Sequence, residues 1–334
     1  MMKTNATVFF NNAPKILGTG SIVGRHESDG PLAEYFDERI TDGKYGEKTW
    51  EQAESKFHKT AFQYALDRAI LTASDIDCIL SGDLLNQCVA SSFAWRDAAL
   101  PFIGLYGACS TFAEGLALAA MLTDSGAFSR VAVSASSHFC TAERQYRNPL
   151  AYGGQRPPTA QRTVTGAGCA IVGKNDGDAP HIFSATIGTV VDSGISDANN
   201  MGAAMAPAAY ETLKHHFENT DSSPADYDLI ATGDLGEIGR KLLIELFSRD
   251  GITLGESYID CGCEMFDIKR QDMHSGASGC GCIATVFSGY IMSGLRSGRW
   301  KRILIAGTGS LQSPLTVQQK ETIPGICHAV EIRG

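Results

Sequence analysis

The run Phe102-Ile103-Gly104-Leu105-Tyr106-Gly107-Ala108-Cys109-Ser110-Thr111 decides the fold class of this chain. Phe102–Tyr106 is short, apolar and glycine-bounded, which reads as a buried strand. The following stretch, Phe112–Thr123, is rich in small apolar residues and reads as a helix, so a strand passes into a helix through a turn holding a cysteine. The same alternation surrounds it. Between Glu47 and Leu71 the residues Phe57, Ala61, Tyr64, Ala65 and Ala69 recur at helical spacing. Ile76–Leu80 reads as a strand ending in Ser81-Gly82-Asp83, a helix-like stretch lies near Cys88–Trp95, and Val131–Ser134 is a third strand. Strands alternating with helices predict a mainly parallel sheet covered by helices.

The second half repeats the order. Leu229–Ala231 is a strand ending in Thr232-Gly233-Asp234, with a helix through Phe247. Gly276-Ala277-Ser278-Gly279-Cys280-Gly281-Cys282 leads into a helix, Ile283–Leu295, and the strand Ile303–Ala306 follows. Three local matches keep their order: Ser81-Gly82-Asp83 with Thr232-Gly233-Asp234, Gly107–Ser110 with Gly279–Cys282, and Ser125–Val131 with Ser297–Ile303. They predict a duplicated α/β unit, with halves at 1–175 and 176–334 joined through the Gly- and Asp-rich stretch Gly173–Pro180.

Composition narrows the function. The chain has 334 residues, 28 Lys and Arg against 37 Asp and Glu, and a formal net charge of −9. General nucleic-acid binding is excluded, because phosphate contacts need a basic face. No window approaches the ~18–20 apolar residues of a membrane span, and Met1–Asn12 is no secretory signal. The 10 cysteines are sparse for this length and several sit in apolar runs, which predicts reduced thiols inside a cell.

Cys109 is the leading chemical candidate. Thr111 and Glu114 fit a capping box, so a helix begins here, and a thiol at a helix N-terminus is drawn toward the thiolate. The free N–H groups of that turn could instead hold a carboxylate. His138, His274 and His328 each sit near a strand end or a Gly-rich turn, where α/β ligand sites form. The stretch Thr141–Arg162 carries Arg144, Arg147, Arg156 and Arg162 with Tyr146 and Tyr152. It reads as a solvated connection, a subunit contact, or a lid offering guanidinium groups to an anion. Asp83 and Asp234 hold equivalent places in the two halves, as turn formers or as groups near a bound cation. Gly18-x-Gly20-x-x-x-Gly24 lacks the context of a dinucleotide fingerprint and reads as a glycine-rich turn. The pairs Cys261/Cys263 and Cys280/Cys282 are spaced too closely for an ordinary zinc site, and no metal centre is expected.

Gly107-Ala108-Cys109-Ser110, Thr165-Gly166-Ala167-Gly168-Cys169-Ala170-Ile171-Val172 and Gly276-Ala277-Ser278-Gly279 resemble the thiolase and β-ketoacyl synthase superfamily. Gly18–Gly24, Gly30-Pro31-Leu32, the Asp272–Cys282 run and Pro324–Ile332 resemble more closely the stage V sporulation AD family of spore-forming bacteria, over essentially the whole chain. The superfamily resemblance implies a five-layered αβαβα thiolase-like fold and a homodimer joined through edge strands. It also implies acyl transfer, which needs an imidazole beside the cysteine. The two places where relatives carry such a group read Thr232-Gly233-Asp234 and Met273, with His274 displaced by one residue, and the acidic residue before Gly166 is replaced by Thr165.

The expectation is therefore a pocket without its reaction. The family resemblance implies a binding protein for dipicolinic acid, free or as its calcium chelate, that supports its uptake into the developing spore. The candidate contacts are Cys109, His138, Arg162, Asp234, His274 and His328, with Tyr152 as a stacking ring. No cofactor is expected beyond calcium carried by the ligand. Expected partners are integral membrane proteins of the same operon, the other SpoVA proteins, at the forespore or spore inner membrane. The alternatives are an acyl-transfer enzyme using Cys109 with His274 or His328 as base, and a membrane-complex scaffold with an unused pocket.

Overall fold

The computed structural model describes residues 1–146, 156–174 and 177–334. The first half contains β1 (Met2–Thr4), β2 (Thr7–Phe9), β3 (Lys15–Val23), α1 (Arg25–Ser28), β4 (Glu38–Arg39), α2 (Trp50–Ala69), β5 (Cys78–Gly82), α3 (Val89–Trp95), β6 (Phe102–Gly104), α4 (Thr111–Asp124), β7 (Arg130–Ser137), α5 (Phe139–Tyr146), β8 (Arg162–Thr163) and β9 (Gly166–Gly173). The second contains β10 (His181–Ile187), α6 (Met201–Thr220), β11 (Leu229–Thr232), α7 (Gly236–Arg249), β12 (Tyr258–Asp260), α8 (Cys261–Glu264), β13 (Ala277–Ser278), α9 (Cys280–Val286), α10 (Met292–Arg296), β14 (Arg302–Ser310), α11 (Pro314–Gln318) and β15 (Gly325–Arg333). The expected boundary falls in the β9–β10 connection, where residues 175 and 176 lie outside the described residues.

The strand order β12-β11-β14-β15-β10-β3-β9-β7-β5-β6 divides into two five-stranded sheets, linked by the single pair His181–Lys15. The two have the same topology. From the junction outward, β3-β9-β7-β5-β6 pair antiparallel, antiparallel, parallel, parallel, and so do β10-β15-β14-β11-β12. This is the duplication the local matches predict. The sheets are mixed rather than mainly parallel. β3, β9, β10 and β15 escape the βα pattern because they follow one another or close the halves without the crossover helix that parallel neighbours need.

Five layers result. α2 and α3 cover the outer face of the first sheet, α6 covers the outer face of the second with α7 packed against it, and α4 and α9 lie between the sheets. α4 touches strands of both halves, and its residues Phe112, Leu116, Ala117 and Ala120 are fully buried. The expected glycine-rich turn at Gly18–Gly24 is instead most of β3. A Cβ on Gly18 would lie 2.2 Å from the carbonyl oxygen of Ala65, and one on Gly20 would lie 2.1 Å from that of Ala61. These glycines let the α2 backbone approach the sheet, a role of glycine that needs no special φ.

Candidate functional site

The duplication brings together the two equivalent turns, at the N-termini of α4 and α9. Ala108 adopts a left-handed φ of 50°, a conformation that costs an L-residue about 1 kcal/mol or more. This sharp bend carries Cys109 into the interior, where it is buried. From the opposite turn the Cys280 thiol donates to the carbonyl of Ala108 at 3.0 Å.

The thiol of Cys109 lies beside the carboxylate of Asp234, close enough for that charge to oppose its ionisation. Asp234 follows β11. It accepts from the Gly279 N–H at 2.8 Å and from Thr308 Oγ1 at 2.8 Å. Burial pushes its carboxyl up to about 7, against the pull of these hydrogen bonds. Burial first, and then the Asp234 charge, push the Cys109 thiol well above its ordinary value. The thiolate expected from the helix N-terminus is thus overridden by desolvation and a neighbouring acid.

Two of the anion-binding donors expected of that turn, the N–H groups of Ser110 and Thr111, are engaged. The Ser110 N–H donates to Gly107 O at 3.0 Å and the Thr111 N–H to Ala108 O at 3.3 Å. No capping box forms. Ser110 is the N-cap without a side-chain bond, and Thr111 Oγ1 donates to Ala108 O at 2.7 Å and accepts from the Gly107 N–H at 3.0 Å. Thr111 therefore locks the cysteine turn rather than capping the helix.

Cys109 and Ala108 line a cavity of ≈ 50 Å³ with Tyr106, Tyr146, Ser278 and Ser310. Leu84, Ala142 and Met201 form its apolar walls, and Glu143, Thr163 and Gln312 complete it. Ser310 Oγ and Gln312 Oε1 are buried with no hydrogen-bond partner, which marks polar groups awaiting a ligand or water. The hydroxyls of Tyr106 and Tyr146 meet at 3.2 Å, and Tyr146 donates to Leu84 O at 2.9 Å. Ser310 and Gln312 are not among the expected site residues, because nothing at the end of an apolar strand marks them. Tyr106 stands in the decisive run, beside the cysteine.

Of the six expected contacts, the fold joins Cys109 and Asp234. Of the six, Cys109 alone lines the cavity; Asp234 lies behind it, and the other four line no part of it. His138 donates through Nε2 to Gly43 O at 2.7 Å and stacks on Phe57 with centroids 5.8 Å apart. His328 lies within β15, accepts from the Gly188 N–H at 3.3 Å, and is pushed down to about 4 by burial. His274 pairs Nδ1 with Pro157 O at 3.1 Å and Nε2 with Asp272 Oδ1 at 3.4 Å. Arg162 stands in β8 beside β13, its guanidinium 3.8 Å from the Phe139 ring centroid, and the Glu27 carboxylate opposes the effect of burial on it. Asp83, the equivalent of Asp234, accepts from the Ser91 N–H and Oγ, both at 2.7 Å, and from the Leu85 N–H at 2.8 Å. It is a turn former.

The Arg- and Tyr-rich stretch divides. Thr141–Tyr146 belongs to α5, where Arg144 pairs with Glu51 and lies over Trp50. Arg156 pairs with Asp272 at 3.5 Å. Arg147 and the proposed stacking ring Tyr152 lie outside the described residues. Among the described residues, no group of three or more His, Cys, Asp or Glu is placed to hold a metal ion, and no helix is long and apolar enough to cross a membrane.

Two pseudo-equivalent mixed sheets around buried helices, with a cysteine at the α4 turn, define a thiolase-like protein. Solved structures agree. The 3-oxoacyl-[acyl-carrier-protein] synthase III of Aquifex aeolicus VF5 superposes with a TM-score of 0.58 at 16% identity, covering 96% of this chain and 100% of that one. A single-residue variant of Xanthomonas campestris OleA gives 0.64 at 15% identity, covering 100% of both. The chain belongs to the stage V sporulation protein AD family, whose sequence profile matches residues 4–333. It is 43% identical over 323 residues to stage V sporulation protein AD of Bacillus subtilis (strain 168), covering 97% of this chain and 93% of that one. A role in sporulation follows from that membership.

Proposed function

We propose that this chain is a non-catalytic binding protein for dipicolinic acid, using the Cys109 cavity, and that it serves uptake of that acid into the developing spore. The observation that carries the reading is the setting of Cys109 beside a buried acid. An acyl-transfer cysteine needs a base to take its proton and a donor for the oxyanion. Here the thiol keeps its proton, and Asp234 would repel a thiolate.

The lining also speaks to the form of the ligand. Among the described residues it contains hydroxyls, an amide and Glu143 but no Lys, Arg or His. A free dicarboxylate would meet this wall, and Asp234 behind it, with both charges unpaired. The calcium chelate is neutral and would not, so the chelate is expected to bind more tightly than the free acid. Calcium enters as part of the ligand.

At ≈ 50 Å³ the cavity is too small for dipicolinate as it stands, since ligand pockets usually measure about 300–1,000 Å³, and it must widen to admit the ligand. Tyr106, 47% exposed, and Tyr146 form the barrier, and their rings must part for entry. Tyr146→Trp is expected to weaken dipicolinate binding at least about tenfold, measured by equilibrium dialysis. Cys109→Ala is expected to bind within a few-fold of wild type. Acyl-CoA turnover by the wild type should stay at background. Turnover far above it, abolished by Cys109→Ala, would establish the enzyme reading instead.

The chain is proposed to act as a homodimer beside the other SpoVA membrane proteins, peripheral to the forespore or spore inner membrane. Among the described residues β6 ends the first sheet, and it exposes Phe102 and Ile103, the latter 43% accessible. Such an edge is a template for a second copy. Ile103→Lys is expected to convert a dimer into a monomer in light-scattering chromatography. A dimer that persists would move the interface elsewhere.

A further inference from the structure

Far from Cys109, two arginines converge on one residue. The helical run from Cys280 to Arg296 contains a π turn at Phe287–Ile291, a feature that shifts the facing of the residues beyond it and recurs at functional sites. Its last residue, Arg296, sends Nη2 to the buried hydroxyl of Thr19 at 3.1 Å. Arg68, in the last turn of α2, donates through Nη1 to the carbonyl of the same Thr19.

One carboxylate answers the two cations. Asp37 is held by the Ser21 N–H at 2.9 Å and Ser21 Oγ at 3.1 Å, and Arg68 clasps both of its oxygens. Arg296 has no carboxylate within ion-pair distance among the described residues. Partial burial, and then the Arg68 charge, push its guanidinium down to about 10, with Asp37 opposing. Both arginines open on a cleft of ≈ 470 Å³ lined by Tyr35, Ser288, Ser293 and Ser297. Glu34 is on its exposed rim and is not among the charges acting on Arg296.

We infer that this cleft binds a small oxyanion, a phosphate or a carboxylate, gripped by Arg296 beside the Arg68–Asp37 pair. The guanidinium fork matches either oxyanion in two-point contact. The cleft volume suits a small molecule, and Ser293 supplies a hydroxyl donor, while the hydroxyls of Ser288 and Ser297 donate to Cys169 O and Gly294 O. The site shares no residue with the Cys109 cavity and does not depend on dipicolinate binding.

The test is calorimetric titration of the full chain with inorganic phosphate and, separately, with succinate, in a chloride buffer. Saturable binding of at least one is expected. Binding of phosphate alone identifies a phosphorylated ligand, and binding of succinate alone a carboxylate. Arg296→Gln should weaken binding at least about tenfold. Ser293→Glu, which sets a negative charge on an exposed wall without disturbing the core, should do the same, and decides the matter if Arg296→Gln does not fold. Saturation by neither anion, or wild-type affinity in both variants, would overturn the site.

Discussion

Asp234→Asn is expected to gain stability over the wild type as pH rises, by up to about 4 kcal/mol between roughly pH 4 and pH 8. In the unfolded chain this carboxyl titrates near its ordinary 3.8, and in the folded chain burial holds its proton to about 7. A raised folded value means that the stabilising contribution is complete below the unfolded value. It is lost as pH climbs through the folded one. Asparagine has no such proton. It also leaves the Gly279 N–H or the Thr308 hydroxyl less well accepted, a cost of about 1–3 kcal/mol that does not depend on pH. The slope of the difference is therefore the diagnostic, read from urea unfolding of both proteins at several pH values. Parallel curves would mean that Asp234 is ionised in the fold. The same variant should speed alkylation of Cys109 by iodoacetamide, because the neighbouring charge that opposes the thiolate is gone.

Phe112→Ala is expected to cost about 3–5 kcal/mol, at the upper end of core truncations. Phe112 is fully buried on α4, and its ring stands 5.5 Å from that of Phe287 in the helical run that starts at α9. The central helices are enclosed by a sheet on each side, so the surroundings have little freedom to collapse into the space left behind. Calorimetric melting of the variant checks the magnitude. A cost below about 1 kcal/mol would mean that the middle layer is plastic, which the close packing of the central helices does not allow.

The duplication was legible because it rests on turns. Ser81-Gly82-Asp83 and Thr232-Gly233-Asp234 do end equivalent strands, β5 and β11, and the Cys109 and Cys280 turns do open equivalent helices, α4 and α9. Turn chemistry is local and survives in the residue string. The antiparallel strands were harder to read. Gly18 and Gly20 look like turn glycines until the α2 carbonyls beside them are seen. The site was half legible. Cys109 and Asp234 belong to matched motifs, and those motifs are brought into contact by the pseudo-symmetry. The histidines and Arg162 were selected for chemical type near suggestive turns, but residue type carries no information about which way a side chain faces. His328 lies on the strand that pairs with β14, yet it meets the Gly188 N–H and not the cavity. Ser310 and Gln312 illustrate the converse, since their importance comes from a buried oxygen without a partner, a property of packing alone.

The most direct test of the receptor reading is calorimetric titration of the purified chain with dipicolinate, with and without calcium, using benzoate and picolinate as controls. The account predicts saturable binding selective for the dicarboxylate, tighter with calcium, and for the free acid stronger as pH falls through about 7, where Asp234 takes up its proton. Absence of binding by a folded protein at any pH, with or without calcium, would contradict it.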